Sequence, residues 1–307
     1  KSTTSAMLYQ ILLDAKMEPS IISGAGLTSI IKLGKIGNAA VGKGDWLIIE
    51  ADESDGSIVQ YEPEIGLLLN IDKDHQEIDE LVHLFSVFKS HTKSLFVVNQ
   101  SNTLARTLSA NSDYDFGFEN ENAGYNVTHF IQNGFHQKFM LKGQEFTINA
   151  IGEYNAENAA ATVAVAHQIG VDLKTCAESL STYEGIYRRQ QILGEKNGVW
   201  VIDDYAHNPA KCAASIKACQ PLAEKVIAWF LRQDFVEEIS KVLRPQDEIW
   251  MSEIFYAGGT AVKDISANDL IKDIQHKGKR AFFVEHREDF LKSVQPHFDK
   301  STVLLLM

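Results

Sequence analysis

Two acidic clusters stand where apolar runs stop. Trp46-Leu-Ile-Ile gives way to Glu50-Ala-Asp-Glu-Ser-Asp55, and Gly66-Leu-Leu-Leu gives way to Asn70-Ile-Asp-Lys-Asp-His75. Carboxylates with a nearby imidazole suit a divalent cation, and a hard cation commonly takes phosphate oxygens as further ligands. Glu50, Asp52 and His75 are therefore candidate metal-site residues; the plainer alternative is that these acids only solubilise loops. Lys1-Ser2-Thr3 resembles the tail of a phosphate-binding loop. In such a loop the lysine reaches β- and γ-phosphates and the following hydroxyl sits on Mg²⁺. A Ser/Thr run of this kind also serves as an ordinary helix N-cap.

A third acidic cluster, Asp203-Asp-Tyr-Ala-His-Asn-Pro209, follows the apolar run Val199 to Ile202. Shortly before it lies Arg188-Arg189. Paired arginines can clamp a phosphate bidentately, or simply form surface salt bridges.

The elements that must carry these residues follow from periodicity. Ala6, Met7, Ile11 and Leu12 have helical spacing, so Ser2 to Ala15 is expected to be helical. The runs ending at Glu50 and Asn70 are continuously apolar, as strands buried on both faces of a parallel sheet are. Ligands of such sheets bind beyond the carboxyl ends of the strands, so neighbouring strand ends would gather Glu50, Asp52 and His75 on one rim. Leu81 to Thr92 is helical by its face of Leu81, Leu84, Phe85 and Phe88, and Leu95-Phe-Val-Val is the next buried strand. From Tyr125 to Ala150 the pattern alternates apolar with polar, punctuated by Asn133-Gly134 and Lys142-Gly143, which are hairpin signals. An Ala-rich helix follows from Ala156, with Asn155 as a good N-cap candidate. Strand–helix alternation then resumes to the end of the chain. Together this predicts an α/β protein. Residues 1–183 are expected to form a central P-loop-type doubly wound parallel sheet with a small antiparallel flap. Residues 184–307 are expected to form a second, Rossmann-like α/β domain.

The chain has 307 residues, with 29 Lys and Arg against 41 Asp and Glu, a net charge of −12. That balance argues against a general nucleic-acid or anionic-membrane surface, while leaving room for a local phosphate site. Cys176, Cys212 and Cys219 lack metal-ligand spacing. No apolar run approaches the ~20 residues needed to span a bilayer, and no secretory signal is visible. A cytoplasmic protein with reduced thiols, no nucleic-acid partner and no membrane insertion is expected. The sequence opens on the tail of a phosphate-loop pattern without its glycines, and closes on a strand-like run. It also passes from the apolar run ending at Phe230 into a helical pattern without a loop. Strand-to-helix connections usually take roughly 2–6 residues, so residues are expected to be missing before Lys1, after Phe230 and after Met307.

Six segments occur in the order and approximate spacing of the Mur ligase family, and the resemblance spans nearly the whole chain. They are Lys1-Ser-Thr-Thr4, Glu50-Ala-Asp-Glu-Ser-Asp55, Asn70-Ile-Asp-Lys-Asp-His75, Asn155-Ala-Glu-Asn-Ala-Ala-Ala161, Gly185-Ile-Tyr-Arg-Arg189 and Asp203-Asp-Tyr-Ala-His-Asn-Pro209. The Glu50 segment is most similar to the branch that adds L-alanine to UDP-N-acetylmuramate, and to the related murein-peptide ligases. The resemblance implies an ATP- and Mg²⁺-dependent amide ligase of peptidoglycan synthesis or recycling. Its partners would be UDP-N-acetylmuramate and an amino acid or short peptide. The sugar carboxylate would be activated as an acyl phosphate and then attacked by the amine. The resemblance leaves the acceptor amine and the oligomeric state open.

Carried over by position, Lys1 resembles the phosphate-loop lysine and Ser2 the Mg²⁺-binding hydroxyl, with Thr3 beside them at the nucleotide. Glu50 resembles the magnesium carboxylate and His75 a ligand of a second metal. Asn155 and Asn158 resemble adenine-side contacts. Arg189 resembles an arginine reaching an ATP phosphate, Asp204 its ribose-binding partner, and His207 lies in the same nucleotide-contacting turn. Lys1, Glu50, His75 and Arg189 would carry the chemistry. The chain departs from the family in lacking the UDP-binding domain and the phosphate-loop glycines. It also has Tyr154 where His is common and Gln190 where an aromatic residue is usual. Two alternatives remain open: a folylpolyglutamate- or cyanophycin-type ligase of the same fold, which shares Asp-Tyr-Ala-His-Asn-Pro, and a non-catalytic nucleotide-binding relative.

Overall fold

The helical spacing of Ala6, Met7, Ile11 and Leu12 closes into α1 (Ser2–Asp14), with all four side chains buried. The computed structural model describes residues 1–72, 77–230, 236–253 and 266–307. His75, and the strand-to-helix junction after Phe230, lie outside the described residues. The chain divides into two compact units, Lys1–Tyr187 and Arg188–Met307. Both units are mixed α/β structures with parallel ladders.

In the first unit, α1 is followed by β1 (Ser20–Ile22), the short helix α2 (Thr28–Ile31), β2 (Ala39–Ala40) and β3 (Leu47–Ile49). Strands β1 and β3 are parallel, with Ile21 opposite Ile48, and β2 adds antiparallel to β1. Then come β4 (Ile65–Leu68), α3 (Ile78–His91) and β5 (Leu95–Val98), a parallel β-α-β unit. Leu81, Phe85 and Phe88 of α3 pack with Leu68, Phe96 and Val98 of this pair in one apolar cluster. The expectation that the two acid-ended strands are neighbours is not met by a ladder: β3 and β4 belong to separate hydrogen-bonded sheets among the described residues. Nor is β3 buried on both faces as expected: Ile48 is buried, but Leu47 and Ile49 on the other face are exposed. Continuous apolar character carries no information about which strand lies beside another.

The flap follows as β6 (Phe116–Phe118), β7 (Tyr125–Asn133), β8 (His136–Leu141) and β9 (Gln144–Ile148). Strands β7, β8 and β9 run antiparallel, while β6 joins β7 in parallel. The β8–β9 turn places Lys142 at φ 48° and Gly143 at φ 79°, the two positive angles of a tight hairpin turn. Phe139 and Phe146 stack 5.6 Å apart across it, both fully buried. Helix α4 (Glu153–Gln168) packs on this flap and on α1 through Ala156, Ala159, Ala160 and Ala164, whose small size lets the backbones approach. Its N-cap is Gly152 at φ 82°, not Asn155. The left-handed angle favours glycine, and Asn155 instead sits in the first turn with its side chain buried. Helix α5 (Leu173–Ser181) completes the unit, capped by the Asp172 carboxylate on the Thr175 amide at 2.9 Å.

The second unit contains β10 (Gln191–Lys196), β11 (Val199–Asp203), α6 (Pro209–Cys219), β12 (Lys225–Phe230) and α7 (Val236–Val242). It continues through β13 (Glu248–Ser252), α8 (Ala267–His276), β14 (Arg280–Val284), α9 (Phe290–Val294) and β15 (Thr302–Leu306). The sheet order is β10-β11-β15-β12-β13-β14. All pairs are parallel except β10–β11, so β10 is an antiparallel edge. Val199, Ile227, Trp250, Val284 and Leu304 form the sheet side of an apolar cluster against Phe290 and Val294 of α9. Among the described residues no helix is long and apolar enough to cross a membrane.

Candidate nucleotide and metal site

Glu50 is the residue immediately after β3, and its amide donates to the Ile22 carbonyl at 2.9 Å, so the ladder fixes its backbone. Its two carboxylate oxygens have separate jobs. Oε1 accepts from the Ser2 hydroxyl at 2.8 Å. Oε2 accepts from the Ser23 hydroxyl at 3.0 Å and from the Gly24 amide at 2.7 Å. Ser2 is the first residue of α1 and is buried. The first amides of a helix lack intrahelical acceptors and favour anions nearby. The strand end and the helix start thus bring a carboxylate and a hydroxyl together.

Lys1 lies at the same helix start and contacts Glu53 at 2.7 Å and Asp52 at 3.1 Å. Burial works against its ammonium, but the bonds to Glu53 and Asp52 outweigh this and hold its pKa above the ordinary 10.5. Burial also pushes the Asp52 carboxyl up. The Ser54 amide and Lys1 reverse that and keep it below 3.8. Asp55 caps its own turn, bonding the Ser57 amide at 2.9 Å. Thr3 is half-buried between Ser2 and Thr4.

Magnesium is small and octahedral, with ligand bonds of about 2.1 Å, so two adjacent ligands sit roughly 3 Å apart. Ser2 Oγ and Glu50 Oε1, two hard oxygens 2.8 Å apart, fit one edge of that octahedron. The described residues contain no group of three or more His, Cys, Asp or Glu placed to hold a metal. The remaining ligands of such an ion would come from phosphate and water, the usual pattern for magnesium.

Asn155 and Asn158 project from the first turns of α4 and are linked to α1. Thr4 donates to Asn158 Oδ1 at 3.0 Å, Asn158 Nδ2 donates to Asn155 Oδ1 at 3.2 Å, and Asn155 Nδ2 donates to the Ile151 carbonyl at 2.8 Å. Between them, burial raises the pKa of Glu157, partly offset by Asn99 and reinforced by Glu153.

In the second unit, Arg188 and Arg189 enter through a strained stretch, with Arg188 at φ 55° and Gln190 at φ 46°. Both guanidinium groups lie by the Tyr205 ring, at 5.4 and 5.2 Å, within cation–π range. Arg188 also pairs with Asp203 at 3.2 Å. Asp204 is buried and accepts from the Tyr205 amide at 2.9 Å and the Gln190 amide at 3.2 Å. Burial raises its pKa above 3.8, against the pull of Ser215, the Gln190 amide and Arg189. His207 contacts the Tyr205 carbonyl through Nδ1 at 2.9 Å and Lys211 through Nε2 at 3.3 Å. A carbonyl needs a donor and an ammonium needs an acceptor, so these contacts fix the Nδ1–H tautomer. Asn208 caps α6 on the Lys211 amide at 2.9 Å, with Pro209 at the first helical position.

Of the sequence-derived candidates, the structure joins Ser2 with Glu50, sets Lys1 beside them on Asp52 and Glu53, and ties Asn158 to Asn155. It gathers Arg189, Asp204 and His207 around Tyr205. His75 falls outside the described residues. Sequence reasoning missed Ser23, Gly24 and Thr4. The available signal for the first two was their place directly after the short apolar run Ser20-Ile-Ile, at a strand end.

Comparison with known proteins gives matches to both units. A model described as Mur ligase middle domain matches residues 1–166, and one described as Mur ligase, glutamate ligase domain, matches residues 188–307. The UDP-N-acetylmuramate–L-alanine ligase of Microcystis aeruginosa is 29% identical over 92% of this chain and 62% of its own length. The corresponding ligase of Trichormus variabilis is 32% identical over 89% of this chain and 60% of its own length. The chain thus spans about three fifths of the length of these curated relatives. Among solved structures, the UDP-N-acetylmuramate–alanine ligase MurC of Thermotoga maritima shares the fold. Its TM-score is 0.83 at 24% identity, covering 100% of this chain and 69% of that one.

Proposed function

The chain belongs to the Mur ligase family, and from that premise we propose that it forms the nucleotide-binding and catalytic part of an ATP-dependent amide ligase. The reaction joins an amino acid or short peptide to the carboxylate of UDP-N-acetylmuramate, in peptidoglycan synthesis, in the cytoplasm. The observation that carries the reading is the pairing of the Ser2 hydroxyl with Glu50 Oε1 at 2.8 Å, at the start of α1 and beside Lys1.

The chemistry asks two anions, a carboxylate and a triphosphate, to meet. Magnesium supplies charge neutralisation and alignment of phosphate oxygens. Ser2 and Glu50 would hold it, and Lys1 would turn from Asp52 and Glu53 to the phosphates. Thr3 lines the same helix start. Asn155 and Asn158 receive the adenine side. In the second unit, Arg189 reaches phosphate, while Asp204 and His207 serve the ribose side of the nucleotide. His75, outside the described residues, would supply a second metal ligand. The activated carboxyl is an acyl phosphate, and water must be kept from it until the amine attacks.

The test is ADP release by the full-length protein with ATP, Mg²⁺ and UDP-N-acetylmuramate. L-alanine, L-serine, glycine and the L-Ala-γ-D-Glu-diaminopimelate tripeptide are each offered as the amine. L-alanine is expected to give the highest kcat/KM. Absence of amine-dependent ADP with all four would overturn the proposal in favour of a non-catalytic nucleotide-binding relative. Release that instead depends on a folate or an aspartate polymer would move the chain to another ligase of the same fold.

A further inference from the structure

Glu50 could present either oxygen, in several rotamers, to a cation above the strand end. Its surroundings remove that freedom. Oε2 receives two donors from a single dipeptide, the Ser23 hydroxyl at 3.0 Å and the Gly24 amide at 2.7 Å. Ser23 is buried, and its oxygen accepts the Ala25 amide at 3.3 Å. An ionised carboxylate only accepts, so the one hydroxyl hydrogen goes to Glu50 while the oxygen accepts from Ala25. The backbone of the step is held as well, because the Ser23 amide donates to the Asn38 carbonyl at 2.8 Å. Gly24 is close by necessity: a Cβ there would stand 3.3 Å from both Glu50 oxygens and 3.4 Å from their carbon.

We propose that Ser23 and Gly24 form a positioning clamp that occupies Oε2 of Glu50 and so reserves Oε1, beside Ser2, for magnesium. Ser23 is a positioning residue: it acts through the carboxylate. The proposal rests on the reading of Glu50 and Ser2 as magnesium-holding residues. Partners that orient a metal ligand typically contribute 10–100-fold to metal affinity. Ser23→Ala removes one donor and leaves the Gly24 amide. Gly24→Ala keeps the amide and crowds the carboxylate; its backbone angle is open to alanine. Ser23→Thr keeps the hydroxyl.

The experiment uses the full-length protein and Mn²⁺ as probe, titrated in the presence of ADP and read as free Mn²⁺ by electron paramagnetic resonance. Amine-dependent ADP release against Mg²⁺ is measured in parallel. Ser23→Ala is expected to weaken Mn²⁺ binding about 10-fold or more, and to shift the Mg²⁺ curve to higher concentration with kcat recovered at saturation. Ser23→Thr should stay within about threefold of wild type, and Gly24→Ala should move in the same direction as Ser23→Ala. Wild-type Mn²⁺ affinity in both Ser23→Ala and Gly24→Ala overturns the clamp. Glu50→Gln separates the two levels. If it loses Mn²⁺ while the clamp variants do not, only the clamp fails; if it too binds Mn²⁺ like wild type, the magnesium reading beneath it fails as well.

Discussion

Glu50→Gln separates folding from chemistry at the strand end. The substitution keeps shape and one carbonyl oxygen. With that oxygen at the Oε2 position, the bonds from Ser23 and Gly24 at 3.0 and 2.7 Å persist as neutral ones. The amide nitrogen then faces the Ser2 hydroxyl, which can accept. Hydrogen bonds to a charged group contribute about 1 kcal/mol more than neutral ones, so three such bonds set an upper loss of about 3 kcal/mol. The neutral amide is easier to bury than a carboxylate, which offsets part of this, and the net expected loss is about 1–2 kcal/mol. Glu50→Ala is different. It strips the acceptor from the buried Ser2 and Ser23 hydroxyls and from the Gly24 amide. At about 1–3 kcal/mol for each buried donor, the two hydroxyls alone cost roughly 2–6 kcal/mol. Turnover should follow the opposite logic. On the proposed role of Glu50 both variants lose an anionic metal ligand, and metal stabilisation of the transition state is worth several kcal/mol. A loss of about 3–4 kcal/mol corresponds to roughly 10²–10³-fold in rate. The assays are amine-dependent ADP release across a Mg²⁺ titration and a thermal melt of the same preparations. A Gln variant that turns over near the wild-type rate with an unchanged Mg²⁺ curve would refute the role of Glu50. A Gln variant that melts as low as the Ala variant would refute the bond accounting.

Three further outcomes follow from the geometry. Burial raises the Asp204 pKa above 3.8. A carboxyl whose folded pKa is raised contributes stability that is present below its unfolded value and is lost as pH rises through the folded one. Asp204→Asn should therefore gain stability relative to wild type as pH climbs from about 4 towards neutrality, and a pH-independent difference in melting temperature would contradict this. Burial pushes the Cys176 and Cys212 thiols up to about 12, and raises Cys219 as well. Because the thiolate is the nucleophile, a maleimide should label none of the three in the folded protein at neutral pH, and labelling within minutes, read by mass spectrometry, would show otherwise. Asp247 is fully buried and accepts from the Val226 amide at 2.8 Å, Gln220 Nε2 at 2.9 Å and Arg244 Nη2 at 2.9 Å. Asp247→Ala should cost about 3–5 kcal/mol, the range for breaking a buried ion pair from one side. Urea unfolding followed by the fluorescence of Trp200, Trp229 and Trp250 measures it, and a change under 1 kcal/mol would mean that Arg244 finds new partners.

The parts of the fold that a sequence carries locally were legible. The run Leu95-Phe-Val-Val is β5 with the same limits, and the helix expected over Ser2 to Ala15 ends one residue sooner, at Asp14. Buried parallel strands are apolar throughout, and Asn208-Pro209 announces a helix start. The edge strand Gln191–Lys196 was invisible because most of its side chains are exposed and no alternation marks it. Asn155 looked like a cap by type, but the left-handed Gly152 three residues earlier starts the helix. The separate ladders of β3 and β4 could not be read, since pairing depends on neighbours and not on composition. At the site, Glu50 and Lys1 stood out because their chemistry is unusual for a strand end and a helix start. Ser23 did not: a serine after three strand residues is ordinary, and its meaning comes from a carboxylate 27 positions away.

The amide chain running from Thr4 through Asn158 and Asn155 to the Ile151 carbonyl has a direction. Every link donates the same way, so neither amide can flip without breaking two bonds. A primary amide offers two hydrogens and two acceptor sites. With one of each used, Asn158 keeps one hydrogen and one lone pair. That is the complement of an adenine edge, where N6 donates and N7 accepts. Asn155 is buried, and Asn158 is only half-buried. On the proposed nucleotide reading the pair would divide into a reader and its mount: Asn158 would meet the base edge, and Asn155 would dictate which way round it is held.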